Sequence, residues 1–161
     1  MFIQHIDSPV GPLRIGATAT AITEIAFAAP NNAPGKPPQD NPSALTALAG
    51  EQLAAYFAGT RSDFSLPLAP TGTAFQQRVW RQLRTIPYGD TCSYAAIAAA
   101  INNSRAVRAV GAANGRNPIA IVVPCHRVIG ANGTLTGYAG GLDRKAWLLQ
   151  HEQRQGRLQD R

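Results

Sequence analysis

The spacing of apolar residues changes once along the chain, and this change limits the fold more than any other feature of the sequence. Before residue 29, apolar and alternating segments separated by turn residues predict three short β-strands, over Phe2–Ile6, Leu13–Ala17 and Ile22–Phe27. From residue 43 onward, most apolar residues recur at the spacing of amphipathic helices. A chain with its strands first and its helices afterwards is predicted to adopt an α+β fold.

Two irregular segments interrupt these patterns and indicate where the chain divides. Residues 29–42 contain five prolines and are predicted to form a loop, and residues 59–72 have the composition of a linker. At 161 residues, the chain has the length of one domain or of two small ones. We predict an N-terminal α/β domain over residues 1–71, which supports the structure, and a mainly helical C-terminal domain over residues 72–161.

The charged residues are distributed unevenly between these two parts. Residues 1–74 hold three basic and five acidic side chains, a net charge of −2, whereas residues 75–161 hold twelve basic and four acidic ones, a net charge of +8. Thirteen of the fifteen basic residues are arginine, whose planar guanidinium binds phosphate through two hydrogen bonds. This pattern favours a polyanionic partner, although many small basic domains bind no nucleic acid.

Capping patterns predict three successive helices early in the C-terminal part. Thr73 begins a capping-box pattern, Ser93 is placed to cap a second helix, and Ser104 is placed to cap a third that runs to about Ala113. The second and third helices are short and are joined by a turn at Asn102-Asn103. Two short helices joined in this way are typical of a helix-turn-helix.

The third of these helices has few side chains that could identify DNA bases. Val107 and Val110 are predicted to face the core, which leaves mainly alanine and arginine exposed. Bases in the major groove are recognised chiefly by Asn, Gln and Arg, whereas small residues allow the backbone to approach a narrow groove closely. The composition therefore favours sequence-independent binding, in the minor groove. The alternative is an alanine-rich packing helix without DNA contacts, and the helix taken alone favours that alternative.

One cysteine has surroundings that point to chemistry. Ile119–Val123 is an apolar run predicted to form a buried strand, and Cys125 follows its end, directly before His126 and Arg127. A thiol with a pKa of about 8.5 needs a base or a positive charge to become a thiolate at neutral pH. The histidine and the arginine could supply these groups. The alternative is an inert buried cysteine, which is the usual state of a lone Cys.

A third group could orient the histidine, as in nucleophile–base–orienter triads. Glu152 is a candidate because it is one of only four acids in the basic half of the chain. Asp143 is a weaker candidate, since it is better placed to cap the last helix.

The cysteine count and the N-terminus bear on the cellular setting. Two cysteines, Cys92 and Cys125, cannot form a disulfide framework or a cysteine-rich zinc site, and residues 1–74 contain His5 as their only histidine. The first residues lack the basic start and apolar core of a secretory signal, and the apolar runs are too short to cross a bilayer. We predict a cytoplasmic protein with no metal site and no contact with a membrane.

The C-terminal motifs resemble those of the O6-alkylguanine-DNA alkyltransferases, the methylated-DNA–protein-cysteine methyltransferases, and in particular their bacterial constitutive type. The segment Ile121-Val-Val-Pro-Cys-His-Arg-Val-Ile129 is similar to the active-site signature of that family. The N-terminal part agrees in size and pattern with the family's ribonuclease-H-like domain. The similarity covers essentially all of residues 72–152, through Gly72-Thr-Ala-Phe-Gln76, Val79-Trp80, Ile86-Pro-Tyr-Gly89, Ser93-Tyr94, Arg108-Ala-Val-Gly-Ala112, Asn117-Pro118, Gly137-Tyr-Ala-Gly-Gly-Leu142, Lys145-Ala-Trp-Leu-Leu149 and His151-Glu152.

The resemblance implies catalytic roles for five residues. Cys125 would accept the alkyl group. His126, acting through a water, and Glu152 would form the relay that generates the thiolate. Tyr94 would donate a proton to N3 of the damaged base, and Asn117 would act as the hinge between the recognition helix and the active-site segment.

The resemblance also implies how a damaged base would be bound. The base pocket would be formed by Tyr138, the Ala139 amide and the backbone carbonyls of Cys125 and Val128. Arg108 would fill the stack after the damaged nucleotide is turned out of the duplex. The minor groove would lie along Ala106, Ala109 and Gly111, with Tyr94 also near the DNA.

These roles together imply direct reversal of DNA damage. The alkyl group of O6-alkylguanine, and of O4-alkylthymine, in double-stranded DNA would move irreversibly to Cys125 once per chain, without a cofactor. We expect a monomer, able to cluster on DNA. The main alternative is a non-catalytic sensor of alkyl lesions, whose relatives lack the cysteine that is present here. A helix-turn-helix regulator and a Cys-His hydrolase are disfavoured by the alanine-rich helix and by the lack of a recognisable oxyanion site.

Overall fold

A computed structural model describes residues 1–28 and 40–159, with side chains as far as residue 155. The chain divides into two compact units, Met1–Thr71 and Gly72–Arg161. Strands come first and helices follow, so the predicted α+β class is confirmed. Most of the loop predicted over residues 29–42 lies outside the described residues. None of the described helices is both long and apolar enough to cross a membrane.

The N-terminal unit is an antiparallel sheet with one helix packed on it. Alternation of apolar residues buries Leu13 and Ile15 of the central strand completely. The helix begins at Ser43, which forms a capping box with Thr46. The strands have the bounds that the sequence predicted, and the elements are β1 (Phe2–Ile6), β2 (Leu13–Ala17), β3 (Ile22–Phe27), in that order across the sheet, and α1 (Ala44–Phe57).

The C-terminal unit is mainly helical and contains one short parallel pair of strands. The predicted capping box at Thr73 is present, and Ser93 caps the second helix as predicted. Trp80 is buried and donates from Nε1 to the Ala113 carbonyl at 2.8 Å. This bond fixes the first helix of the C-terminal unit against the end of its third helix. The elements are α2 (Ala74–Leu83), β4 (Cys92–Ser93), α3 (Tyr94–Ala100), α4 (Val107–Gly115), a 3-10 turn (Cys125–Arg127), β5 (Val128–Ile129) and α5 (Leu142–Gln159).

The helix-turn-helix formed by α3 and α4 starts its second helix later than the sequence predicted. Asn102 adopts a left-handed φ of 59°, and the Ala106 amide donates to the Asn103 carbonyl, so a tight turn occupies the residues where Ser104 was expected to cap. The cap position is Ala106, which makes no side-chain hydrogen bond. The prediction that Val107 faces the core is also wrong, because the later start leaves its side chain 37% exposed, while Val110 is buried.

Two further predictions about the C-terminal unit are corrected. Ile119–Val123 is almost entirely buried, but its backbone forms successive turns rather than a strand. Asp143 lies inside the first turn of α5 instead of capping it. Its charge at that position still complements the positive end of the helix dipole.

Candidate active site

The segment before Cys125 is a series of tight, partly strained turns. The Val122 amide donates to the Ala120 carbonyl at 2.8 Å, around Ile121, whose φ is 72°. A positive φ with this hydrogen bond marks the rarer kind of γ-turn, which is unfavourable for a β-branched residue. Strain of this kind costs about 1–3 kcal/mol and persists only where the surroundings hold it.

The side chain of Asn117 provides much of that hold. Its Nδ2 donates to the carbonyls of Val123 at 2.8 Å and Ile119 at 3.3 Å, and its Oδ1 accepts from the Ile119 amide at 3.0 Å. One amide group therefore supplies the backbone partners that a neighbouring strand would give. Asn117 follows Arg116, the C-cap residue of α4, so it joins the helix to the turn that carries Cys125.

Cys125 begins the 3-10 turn and is buried. Burial raises the pKa of its thiol, because a thiolate loses solvation there. The side-chain amide of Asn117 and the positive charge of Lys145 act in the opposite direction but do not outweigh burial. The thiol therefore needs a base to react at neutral pH.

His126 is fully buried beside this thiol in sequence, and its orientation is fixed. Its Nε2 lies 2.7 Å from Oε2 of Glu152. An ionised carboxylate only accepts hydrogen bonds, so Nε2 carries the hydrogen and Nδ1 of the neutral ring has the lone pair. Nδ1 is buried and has no hydrogen-bond partner among the residues that the structure describes. It is therefore the nitrogen that can accept a proton.

Arg127 keeps Glu152 ionised. Its Nε and Nη2 donate to the two carboxylate oxygens at 2.7 and 3.1 Å, and its Nη1 donates to the Ile86 carbonyl at 2.7 Å. Burial tends to raise the pKa of Glu152, but His126 and Arg127 outweigh it and hold that pKa far below its usual range. The carboxylate thus serves as a fixed negative charge behind the histidine.

The short sheet brings Tyr94 to the same region of the unit. Cys92 and Ser93 of β4 pair in parallel with Val128 and Ile129 of β5, directly after the 3-10 turn. Tyr94 is the first residue of α3, immediately after β4. It is half-buried, and its hydroxyl oxygen accepts a hydrogen bond from Thr136 Oγ1 at 2.8 Å.

Two side chains that the sequence analysis did not assign hold backbone carbonyls of this region. Asn114 is buried on α4 and donates to the Cys125 carbonyl at 3.3 Å. Lys145 is fully buried on α5 and donates from Nζ to the Val128 carbonyl at 2.6 Å. The sequence does contain a signal that the lysine is buried, because the spacing of Lys145, Leu148 and Glu152 places them on one face of α5.

The other predicted site residues lie on α4 and in the loop before α5. The hydroxyl of Tyr138 is buried, and burial, followed by the nearby Cys125, raises its pKa well above the usual range. Ala139 is exposed in the same loop. Gly111 of α4 lies beside the Tyr94 ring, and a Cβ built on it would be in ordinary van der Waals contact with the ring, at 3.8 Å. On α4 or at its start, Arg108 and Ala109 are exposed and Ala106 is half-buried.

The cluster formed by Cys125, His126, Glu152 and Asn117 combines a buried thiol with an oriented base. Such an arrangement can remove a proton from the thiol and leave a nucleophile in a site of low dielectric constant. In the described ranges, no group of three His, Cys, Asp or Glu side chains is placed to hold a metal ion. The buried thiol and the histidine oriented by Glu152 are the groups that nucleophilic attack by sulfur requires.

Comparisons with known proteins agree with this chemistry. Residues 74–154 match the family model described as 6-O-methylguanine DNA methyltransferase, DNA binding domain, and residues 1–70 match its ribonuclease-like domain. The chain belongs to the 6-O-methylguanine DNA methyltransferase family. Its predicted identity as an O6-alkylguanine-DNA alkyltransferase is confirmed.

Relatives in this methyltransferase family match nearly the whole chain. The methylated-DNA–protein-cysteine methyltransferase of Mycolicibacterium paratuberculosis is 53% identical over 150 residues, which cover 92% of this chain and 90% of the relative. That of Methanosarcina acetivorans is 47% identical and covers 94% and 98%. The crystal structure of Mycobacterium tuberculosis OGT in complex with DNA has a TM-score of 0.86 and 47% identity, covering 96% of this chain and 94% of that one.

Proposed function

We propose that this methyltransferase repairs DNA by moving the alkyl group of O6-alkylguanine to Cys125, with each chain acting once. The observation that carries the proposal is the 2.7 Å contact between Glu152 and His126, beside a buried cysteine. This contact leaves Nδ1 as the basic nitrogen. Within the methyltransferase family, an oriented base next to a thiol has a clear use, which is to produce the sulfur nucleophile.

The reaction balances without a cofactor. Nδ1 of His126, through a water, takes the thiol proton, and the charge of the resulting imidazolium is offset by Glu152. The Cys125 thiolate attacks the saturated carbon, the S–C bond forms, and the C–O6 bond breaks with its electron pair staying on the base. Tyr94 gives its proton to N3, so the guanine released from the alkyl group is neutral and remains part of the DNA. The thioether has no built-in means of cleavage, and the chain is consumed.

We also propose that the base pocket uses groups already fixed by the fold. Tyr138, the Ala139 amide and the carbonyls of Cys125 and Val128 would surround the damaged base. The two carbonyls each accept a hydrogen bond from a buried side chain, which limits their movement. Fixed acceptors of this kind favour a base with an amino group facing them. The same pocket would accept O4-alkylthymine.

Double-stranded DNA would bind along the helix-turn-helix. The net charge of +8 over residues 75–161 supports binding to phosphates, which makes affinity fall with salt. The small residues Ala106, Ala109 and Gly111 allow α4 to approach the minor groove closely. The target atom lies inside the duplex, so the nucleotide must be turned out at a cost of a few kcal/mol. The protein would act as a monomer in the cytoplasm, with clustering along DNA.

The test is a count of methyl groups transferred. The protein is incubated with excess duplex carrying labelled O6-methylguanine, and the labelled peptide is identified by mass spectrometry. We expect one methyl group per chain, on Cys125. Repeated turnover would contradict single use, and tight binding without label would support the alternative, a lesion sensor that does not react.

Arg108 gives a second prediction from the same assay. It is exposed near the start of α4, where its guanidinium could stack in the space left by the flipped nucleotide. Replacing Arg108 with Ala is expected to slow repair in duplex DNA by about ten-fold or more, while reaction with free O6-benzylguanine stays close to the wild-type rate. Arg105→Ala, which removes an exposed charge nearby, is the matched control. Equal slowing with both substrates would exclude the stacking role.

A further inference from the structure

We propose that Thr136 is a positioning residue that orients the Tyr94 hydroxyl as a proton donor to the damaged base. This inference rests on the proposed function, in which Tyr94 protonates N3. Thr136 Oγ1 donates to the Tyr94 hydroxyl oxygen at 2.8 Å, and the contact is partly buried. The two residues are 42 positions apart in the chain, so the contact depends on the folded arrangement of the loop between β5 and α5.

Thr136 is held in place by a second contact on its backbone. The Nζ of Lys145 donates to the Thr136 carbonyl at 2.8 Å and to the Val128 carbonyl at 2.6 Å. Lys145 is itself fully buried, and its Nζ lies 6.0 Å from the centroid of the Tyr94 ring. The ammonium thus joins the end of β5 to the loop that carries Thr136. The threonine hydroxyl is fixed next to the tyrosine although the loop is rich in glycine.

Each of the two hydroxyls can donate or accept, and a base whose N3 accepts the tyrosine hydrogen selects the arrangement in which Thr136 donates to Tyr94. A hydroxyl has one hydrogen and two lone pairs. When Thr136 donates to the Tyr94 oxygen, one lone pair of that oxygen is occupied and the tyrosine hydrogen is directed to another partner. A base in the pocket then meets a hydrogen-bond donor, and the two bonds strengthen each other.

The same contact stabilises the product of proton transfer. As the C–O6 bond breaks, the Tyr94 O–H bond also breaks, the proton binds N3, and the electron pair remains on the phenolate oxygen. The hydrogen bond from Thr136 is then made to a charged acceptor, and such bonds are about twice as strong as neutral ones. The phenolate regains a proton from water after the base leaves. Thr136 does not touch the reacting atoms and acts only through Tyr94.

Two substitutions separate the hydroxyl from the shape of the side chain. Thr136→Val keeps the branched shape and removes the donor, whereas Thr136→Ser keeps the donor. With O6-methylguanine in duplex DNA, we expect single-turnover transfer to slow by about ten- to a hundred-fold for valine, the effect of one charged hydrogen bond. We expect serine to restore most of the rate. Thermal unfolding of both variants checks that the fold is kept.

A double-mutant cycle distinguishes positioning from a structural role. In a Tyr94→Phe background, and with O6-methyl-3-deazaguanine, which lacks N3, Thr136→Val should cause no further loss of rate. A similar loss with and without the tyrosine hydroxyl would overturn the proposal, as would a valine variant as fast as wild type. Failure of the wild-type chain to transfer methyl in this assay would instead refute the proposed function.

Discussion

Replacing Glu152 with Gln is expected to destabilise the protein by about 3–5 kcal/mol and to slow alkyl transfer by about a hundred-fold or more. The carboxylate accepts three hydrogen bonds, from His126 and from two nitrogens of Arg127. Glutamine has nearly the same shape but only one acceptor oxygen. The substitution leaves the buried guanidinium of Arg127 without a compensating charge, and it removes the negative charge that stabilises a protonated His126.

Asp143→Asn is the matched control for this prediction. It removes the same charge from the same helix, at an exposed position in the first turn of α5. Urea unfolding monitored by circular dichroism gives the stability, and labelled O6-methylguanine gives the transfer rate. The control should lose less than about 1 kcal/mol, the range of a helix-dipole contact. If the two variants were equally stable, the buried ion pairs would contribute nothing to the fold.

The pH dependence of stability follows from the same carboxylate. The pKa of Glu152 is lower in the folded protein than in the unfolded chain, where a glutamate has a pKa of about 4.3. Its contribution is therefore fully present above about pH 4.3 and is lost as pH falls through the lowered, folded-state value. The difference in stability between wild type and the Glu152→Gln variant should narrow as pH falls below about 4.

The parts of the fold that were predicted correctly depend on local signals. The three strands of the N-terminal unit follow from alternation and from turn residues between them, and these signals act within five or six residues. The start of α2 follows from a capping box that is complete within four residues at Thr73. In both cases, the residues that determine the element also lie inside it.

The segment Ile119–Val123 shows why the strand prediction failed there. An apolar run reports burial correctly, but a strand also needs a neighbour for its backbone hydrogen bonds. In this protein the side chain of Asn117 supplies those partners, and the backbone can turn instead of extending. Local sequence patterns likewise cannot predict the contact between Glu152 and His126, because the two residues are 26 positions apart and lie on different elements.

The buried lysine illustrates a different limit. Charged residues in a helix are usually solvent-exposed, so the residue type alone does not distinguish Lys145 from an ordinary surface lysine. Its position on the same face as Leu148 is a signal of burial, but its two carbonyl partners lie in β5 and in the following loop. Sequence periodicity can therefore indicate that such a side chain is buried, while its function in the site depends on loop geometry.

Replacing Asn117 with Asp is expected to slow alkyl transfer by about a hundred-fold. It is also expected to raise the pH at which the transfer rate increases. The carboxylate can still accept from the Ile119 amide, but it cannot donate to the carbonyls of Val123 and Ile119, which now face a negative charge. The backbone amides of Val123 and Cys125 still donate to these carbonyls, but each hydrogen bond lost from the amide side chain costs about 0.5–1.5 kcal/mol, and the repulsion between the carboxylate and the carbonyls adds to this and weakens the hold on the strained turn at Ile121.

The shift in pH has a separate cause in the thiol. The side-chain amide of Asn117 lowers the pKa of Cys125, against the larger effect of burial. Removing that donor and adding a nearby negative charge both disfavour the thiolate, so the pKa of the thiol rises further. Because the thiolate is the reacting form, the variant needs a higher pH to reach the same thiolate fraction.

Rates with free O6-benzylguanine between about pH 6 and pH 10 measure this shift without a contribution from DNA binding. Asn103→Asp, which introduces the same charge at an exposed turn, is the matched control and should keep the wild-type profile. An unshifted profile for Asn117→Asp would show that the amide holds the backbone alone and has no effect on the ionisation of the thiol.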